Sequence, residues 1–122
     1  MNAGAAMSTH HHIDYIEVPS RDLAATKSFF TTVFDFAFTD YGDDYTAFEG
    51  VGITGGFFTS PNVSQAKQGA TLVVFYSADL EATQAAVEAA GGTVTQAIFS
   101  FPGGRRFHFD EPGGSEFAVW SE

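Results

Sequence analysis

A seven-residue segment occurs twice in this chain and constrains its fold more than any other feature. Ser20-Arg21-Asp22-Leu23-Ala24-Ala25-Thr26 returns 57 residues later as Ser77-Ala78-Asp79-Leu80-Glu81-Ala82-Thr83, with five of seven positions identical. The likeness extends to both sides. An apolar stretch with strand character precedes each copy, at Ile13–Val18 and Leu72–Tyr76. Helical spacing follows each, with Leu23, Phe30 and Val33 answered by Leu80, Val87 and Ala90. Two copies in 122 residues are too few for a solenoid, whose units bury their faces only by stacking three or more deep. The repeat therefore predicts a module duplicated inside one domain of ordinary size.

Each copy opens strand–turn–helix, with Asp22 and Asp79, or the serines two residues earlier, offering an oxygen to the free N–H groups of the helix start. The first helix is expected to end near Phe34, where Asp35 takes a left-handed conformation, and the second at Gly91-Gly92. Three strands are predicted after each helix: Phe36–Thr39, Tyr45–Glu49 and Ile53–Thr59, then Thr93–Ser100, Arg105–Asp110 and Glu116–Ser121. Ser60–Gly69 is polar and reads as a linker. The expectation is an α+β fold: two tandem βαβββ modules, 13–59 and 70–122, whose curved mixed sheets form a cup and are each backed by one helix. Residues 1–12 are expected to form a disordered leader, with Met7 as an alternative start.

Composition removes several function classes. Hydrophobic residues make up 44% and charged ones only 16%, which excludes an intrinsically disordered chain. Five basic residues against fifteen acidic ones leave a net charge of −10, a field that repels nucleic-acid backbones and anionic lipid surfaces. No apolar run approaches the roughly 18 residues of a membrane span. Without cysteine there is no disulfide, thiol nucleophile or cysteine-ligated zinc. Met1–Thr9 lacks the basic and apolar regions of a secretion signal, so a cytoplasmic protein is expected.

Two motifs are set aside. Gly50-Val51-Gly52-Ile53-Thr54-Gly55 matches the dinucleotide-binding glycine pattern, but Gly56-Phe57-Phe58-Thr59-Ser60-Pro61 cannot be the helix that pattern requires. His10-His11-His12 reads as a surface tract able to pick up adventitious metal. No serine-hydrolase elbow or Walker sequence occurs.

Ile16-Glu17-Val18-Pro19-Ser20-Arg21-Asp22-Leu23, Phe29–Phe36 and Phe107–Trp120 resemble the vicinal oxygen chelate superfamily, which holds glyoxalase I, bleomycin-resistance proteins and extradiol dioxygenases. The segment Glu111-Pro112-Gly113-Gly114-Ser115 resembles that family's Asp-Pro-x-Gly-Asn hairpin, with Glu and Ser in place of its Asp and Asn. In its metal-dependent members the resemblance implies a ligand seven residues before each Asp-Leu, one near the end of the first module and a glutamate on the final strand. Those positions hold Tyr15, Leu72, a residue around Gly56–Phe58, and Ala118. Leucine and alanine cannot coordinate a divalent ion, and a neutral phenol is a poor ligand, so no metal cofactor is expected. The resemblance also implies a homodimer, and fourteen phenylalanines leave apolar surface for one.

Strand alternation places the remaining candidates. If Tyr15 faces the cup, Glu17 does too; Leu72, Val74 and Tyr76 follow by the same parity, as do Glu116, Ala118 and Trp120. This is the apolar, aromatic make-up of a small-molecule pocket. Glu17 is either an ion-pair partner of Arg105 or Arg106, or a carboxyl whose burial suits it to general acid–base chemistry. His108 is either a hydrogen-bonded structural residue, a proton shuttle, or a member of an unorthodox metal set with Glu17 or Glu49. One of Arg105 and Arg106 is expected at the pocket mouth, where its planar fork suits a substrate carboxylate. The leading expectation is a metal-free binding protein for a small apolar or aromatic molecule. The alternatives are a lyase- or isomerase-type enzyme using Glu17 with Tyr15 or His108, and a structural dimerisation module.

Overall fold

The repeated segment folds into two identical helix starts. At the first, the Asp22 backbone N–H donates to Ser20 Oγ at 3.0 Å, the Ala25 N–H donates to Asp22 Oδ1 at 3.1 Å, and Ser20 Oγ meets Thr26 Oγ1 at 2.7 Å. At the second, Ser77, Asp79, Ala82 and Thr83 make the same three contacts at the same distances. Four of the five repeated identities (Ser, Asp, Ala, Thr) are thus the parts of one capping device, and the fifth, leucine, begins the helix. Asp35 ends the first helix in the left-handed region, at φ 58°.

The structure, a computed structural model, describes residues 8–122. In chain order the elements are β1 (Tyr15–Ser20), α1 (Leu23–Phe34), β2 (Ala37–Asp40), β3 (Tyr45–Glu49), β4 (Thr54–Thr59), a short 3-10 turn (Ala66–Gln68), β5 (Val73–Tyr76), α2 (Leu80–Ala89), β6 (Thr93–Phe101), β7 (Gly104–Asp110) and β8 (Glu116–Ser121). They form two four-stranded sheets, ordered β1-β4-β3-β2 and β5-β8-β7-β6. In each, the module's first strand runs parallel to its last and the other pairs are antiparallel. This is the expected tandem βαβββ architecture. The first seven residues of the expected leader lie outside the described residues. The glycine-rich stretch is a turn, with Gly50 at φ 81° and Gly52 at φ 106°, leading into β4.

One aromatic core joins the modules. Phe30 of α1 is fully buried, its ring centroid 5.0 Å from Phe36, 5.2 Å from Phe57, 5.1 Å from Phe117 and 6.1 Å from Phe75. Val18, Phe48 and Phe57 from the first sheet meet Phe107, Phe109, Phe117 and Val119 from the second in the same cluster. The opposite face of each sheet is left for other uses.

Glu111, in the β7–β8 turn, fastens the two modules together. It is 2% exposed. Its Oε1 accepts hydrogen bonds from Thr26 Oγ1 at 2.8 Å and from the Gly113 N–H at 2.5 Å, while Oε2 lies buried without a partner. Burial pushes the carboxyl up to about 7, against the pull of those hydrogen bonds, and neighbouring Asp110 adds to the rise. Arg21 N–H to Gly113 O and Ser115 Oγ to Pro19 O complete the junction.

Candidate functional site

Core packing of the even-numbered residues of β1 and the odd-numbered residues of β5, β7 and β8 turns the alternate residues outward. On the first sheet the register sets Glu17, Gly56, Ala47 and Thr39 in one cross-strand row, with Tyr15 and Thr54 in the next. Strands β1 and β3 are not neighbours, yet their side chains meet over β4, because Gly56 has none. Tyr45 Oη donates to Glu17 Oε2 at 2.9 Å, and Tyr15 and Tyr45 hydroxyls lie 2.5 Å apart. A Cβ on Gly56 would collide with both phenols. Burial, followed by the bonds to Tyr15 and Glu17, holds the Tyr45 phenol far above its ordinary range, so it stays protonated and donates to the carboxylate.

On the second sheet the rows are Tyr76, Trp120, Arg106 and Phe99, then Val74, Ala118, His108 and Gln96. His108 is buried and bonds Glu116 Oε2 through Nδ1 at 3.1 Å and Arg106 Nε through Nε2 at 3.2 Å. Glu116 Oε1 accepts the Ala66 N–H at 2.8 Å, and Tyr76 Oη donates to Glu122 at 2.6 Å. The Tyr76 and Trp120 rings meet edge to face with centroids 5.1 Å apart.

Several of the residues singled out from sequence line three separate cavities. Tyr15 lines a hollow of about 510 Å³ with Tyr41 and Glu49. Glu17 and Glu116 line a cleft of about 340 Å³ with Ser64 and Thr71. Val74 and Tyr76 stand at a third, of about 410 Å³, whose other walls include Ile16, Val18, Phe36, Ile53, Phe57 and Phe117. This cleft opens between the β1 and β5 edges and reaches the shared core. Leu72 lies just ahead of β5, and Ala118 is the buried floor between Val74 and His108.

Two expected pairings take another form. Glu17 is exposed and accepts from Tyr45, so it is neither the arginine's ion-pair partner nor the buried carboxyl that the sequence leaves open. Arg105 points to the helix side and forms a two-pronged pair with Glu81 of α2 at 2.6 and 3.1 Å; Arg106 is the arginine on the outer face. Tyr45 and Glu111 are site and junction residues that the sequence reading does not single out, and of the two arginines left open it is Arg106 that lies on the outer face. The Gly55-Gly56 pair inside a predicted strand was the one signal that side chains from flanking strands meet there.

The donor set does not suit a divalent cation at the family's ligand positions. Tyr15 spends its hydroxyl on Tyr45, and Leu72 and Ala118 have no donor atom. Among the described residues no three His, Cys, Asp or Glu side chains converge on a point that could hold a metal. No helix among them is long and apolar enough to cross a membrane.

This two-module fold is shared with known proteins. A model of the Glyoxalase/Bleomycin resistance protein/Dioxygenase superfamily matches residues 12–119, and the chain belongs to that superfamily. Among solved structures, it is similar to a glyoxalase/bleomycin resistance protein/dioxygenase family enzyme from Burkholderia phytofirmans PsJN (TM-score 0.73, 15% identity, covering 88% of this chain and 96% of that one). The fosfomycin resistance protein FosX from Listeria monocytogenes superposes with a TM-score of 0.75 at 13% identity, over 93% of this chain and 95% of its own. A lactoylglutathione lyase from Agrobacterium tumefaciens gives 0.68 at 16% identity, over 93% and 96%. At these identities the likeness is one of fold. No curated protein matches the chain.

Proposed function

We propose that the protein binds a small apolar or aromatic molecule, without a metal ion, at the β5 edge of the second sheet. The observation that carries this reading is the cleft of about 410 Å³ beside Val74 and Tyr76, walled almost wholly by aliphatic and aromatic side chains. Its volume lies in the range of ligand pockets, and apolar walls favour an apolar guest by removing its surface from water. The outer-face row from Tyr76 through Trp120 extends the aromatic surface beyond the mouth. The neutral dye 1-N-phenylnaphthylamine is expected to bind saturably with enhanced emission. Val74→Trp, at an exposed position where a larger side chain is tolerated, should block the mouth and weaken binding about tenfold or more. Absence of saturable binding, or equal binding by the variant, contradicts the reading.

A homodimer belongs to the same proposal. Strand β1 is a sheet edge with one side unpaired, and Ile13 and Tyr15 beside it are exposed. Light scattering should give about twice the chain mass of 13.0 kDa; a species at the chain mass itself contradicts the dimer.

A further inference from the structure

Among the described residues of the outer face, Arg106 has one edge of its guanidinium held in place and the other without an ion-pair partner. Arginine has no acceptor, so His108 Nε2 must accept its Nε–H at 3.2 Å. The ring proton then sits on Nδ1 and is donated to Glu116 Oε2 at 3.1 Å, while Glu116 Oε1 is held by the Ala66 N–H at 2.8 Å. The guanidinium carbon lies 5.5 Å from the Phe99 ring centroid and 5.8 Å from that of Phe101. One edge of the guanidinium is thus fixed by a buried histidine and its face by two rings. The edge carrying Nη1 and Nη2 has no carboxylate within ion-pair distance among the described residues, in a chain with fifteen acids and five bases.

We infer that Arg106 is the receptor for the carboxylate of a planar aromatic acid, and that His108 and Glu116 are positioning residues that aim it. The inference goes beyond the proposed function, since Arg106 stands on the outer face of β7 and does not line the cleft of about 410 Å³, and it rests on the reading that the second sheet takes an aromatic molecule. Two parallel N–H groups match a carboxylate's two oxygens, and the geometry is set before the ligand arrives. Trp120 stands directly across from Arg106 in the β7–β8 register, and its ring centroid lies 6.4 Å from that of Phe101, so the aromatic body has rings to stack against beside the charge. A surface with a net charge of −10 repels organic anions in general, and Arg106 supplies the local exception.

Calorimetric titration with 2-naphthoate and its neutral counterpart 2-naphthamide tests this. The acid should bind at least about tenfold more tightly than the amide, as expected for a hydrogen-bonded charge pair. Arg106→Gln, at a half-buried position, should abolish that advantage, and Arg105→Gln should keep it. His108→Gln, which retains an acceptor for Arg106, should preserve the preference; His108→Leu should lose it with little change in amide affinity. If His108→Leu does not fold, Glu116→Ala takes its place with the same expected loss. Equal binding of acid and amide, or a preference surviving Arg106→Gln, overturns the inference while amide binding upholds the aromatic site. A preference surviving His108→Leu or Glu116→Ala overturns the positioning role. Failure of both probes to bind overturns the inference and the reading beneath it.

Discussion

Phe30→Ala is expected to remove a large share of the folding free energy. Phe30 is fully buried at the centre of the core and touches aromatic rings from both modules, so the cavity left behind is bounded by both sheets and cannot close by the movement of one. Such truncations cost about 3–5 kcal/mol, against the 5–15 kcal/mol that typically holds a domain together. Urea unfolding followed by the emission of Trp120, the single tryptophan, should place the midpoint far below that of the parent chain. Phe30→Leu keeps most of the volume and should lose about 1 kcal/mol. A loss below about 1 kcal/mol for the alanine variant would mean the modules are held together by something other than this core.

The second large effect is a pH dependence carried by Glu111. Its carboxyl is raised from 4.5 to about 7 by burial, so between those values the folded chain binds a proton that the unfolded chain has lost. Stability is therefore greatest below the unfolded value and falls as pH rises through the folded one. The full loss is about 3 kcal/mol, reached above about pH 8. Glu111→Gln cannot ionise and should flatten this part of the profile. It should be less stable than the parent at pH 5, because its amide N–H groups occupy the place of the unpartnered Oε2, and should gain on it steadily towards pH 8. Denaturant midpoints at pH 5, 6, 7 and 8 for both chains give the comparison directly. Parallel profiles would show that the junction does not depend on this proton.

The legibility of the molecule follows from the range of the interactions involved. Helix caps are local, so Asp22 and Asp79 could be named from a seven-residue repeat, and every strand lay within two residues of its predicted bounds. Period-two alternation likewise placed Tyr15 with Glu17, and Glu116 with Ala118 and Trp120, on the outer faces. The choice between Arg105 and Arg106 was not legible. It depends on how β7 is registered against β8 across the Glu111–Ser115 turn, and the irregular β6–β7 pairing gives no second anchor. Tyr45 was missed because it reaches Glu17 across a strand that separates them, a contact that exists only because Gly56 is bare. Glu111 sits in a Glu-Pro-Gly-Gly sequence that reads as an exposed turn. Only the docking of the first module, through Thr26, buries it.

The central claim, an aromatic site that works without a metal, is tested most directly by the metal content of the purified full-length chain with His10, His11 and His12 replaced by serine. That removes the one surface tract expected to gather stray ions. Mass spectrometric elemental analysis should find far less than one divalent ion per chain, with binding of 1-N-phenylnaphthylamine undiminished by a chelator. One tightly held ion per chain, lost together with dye binding on chelation, would contradict the account.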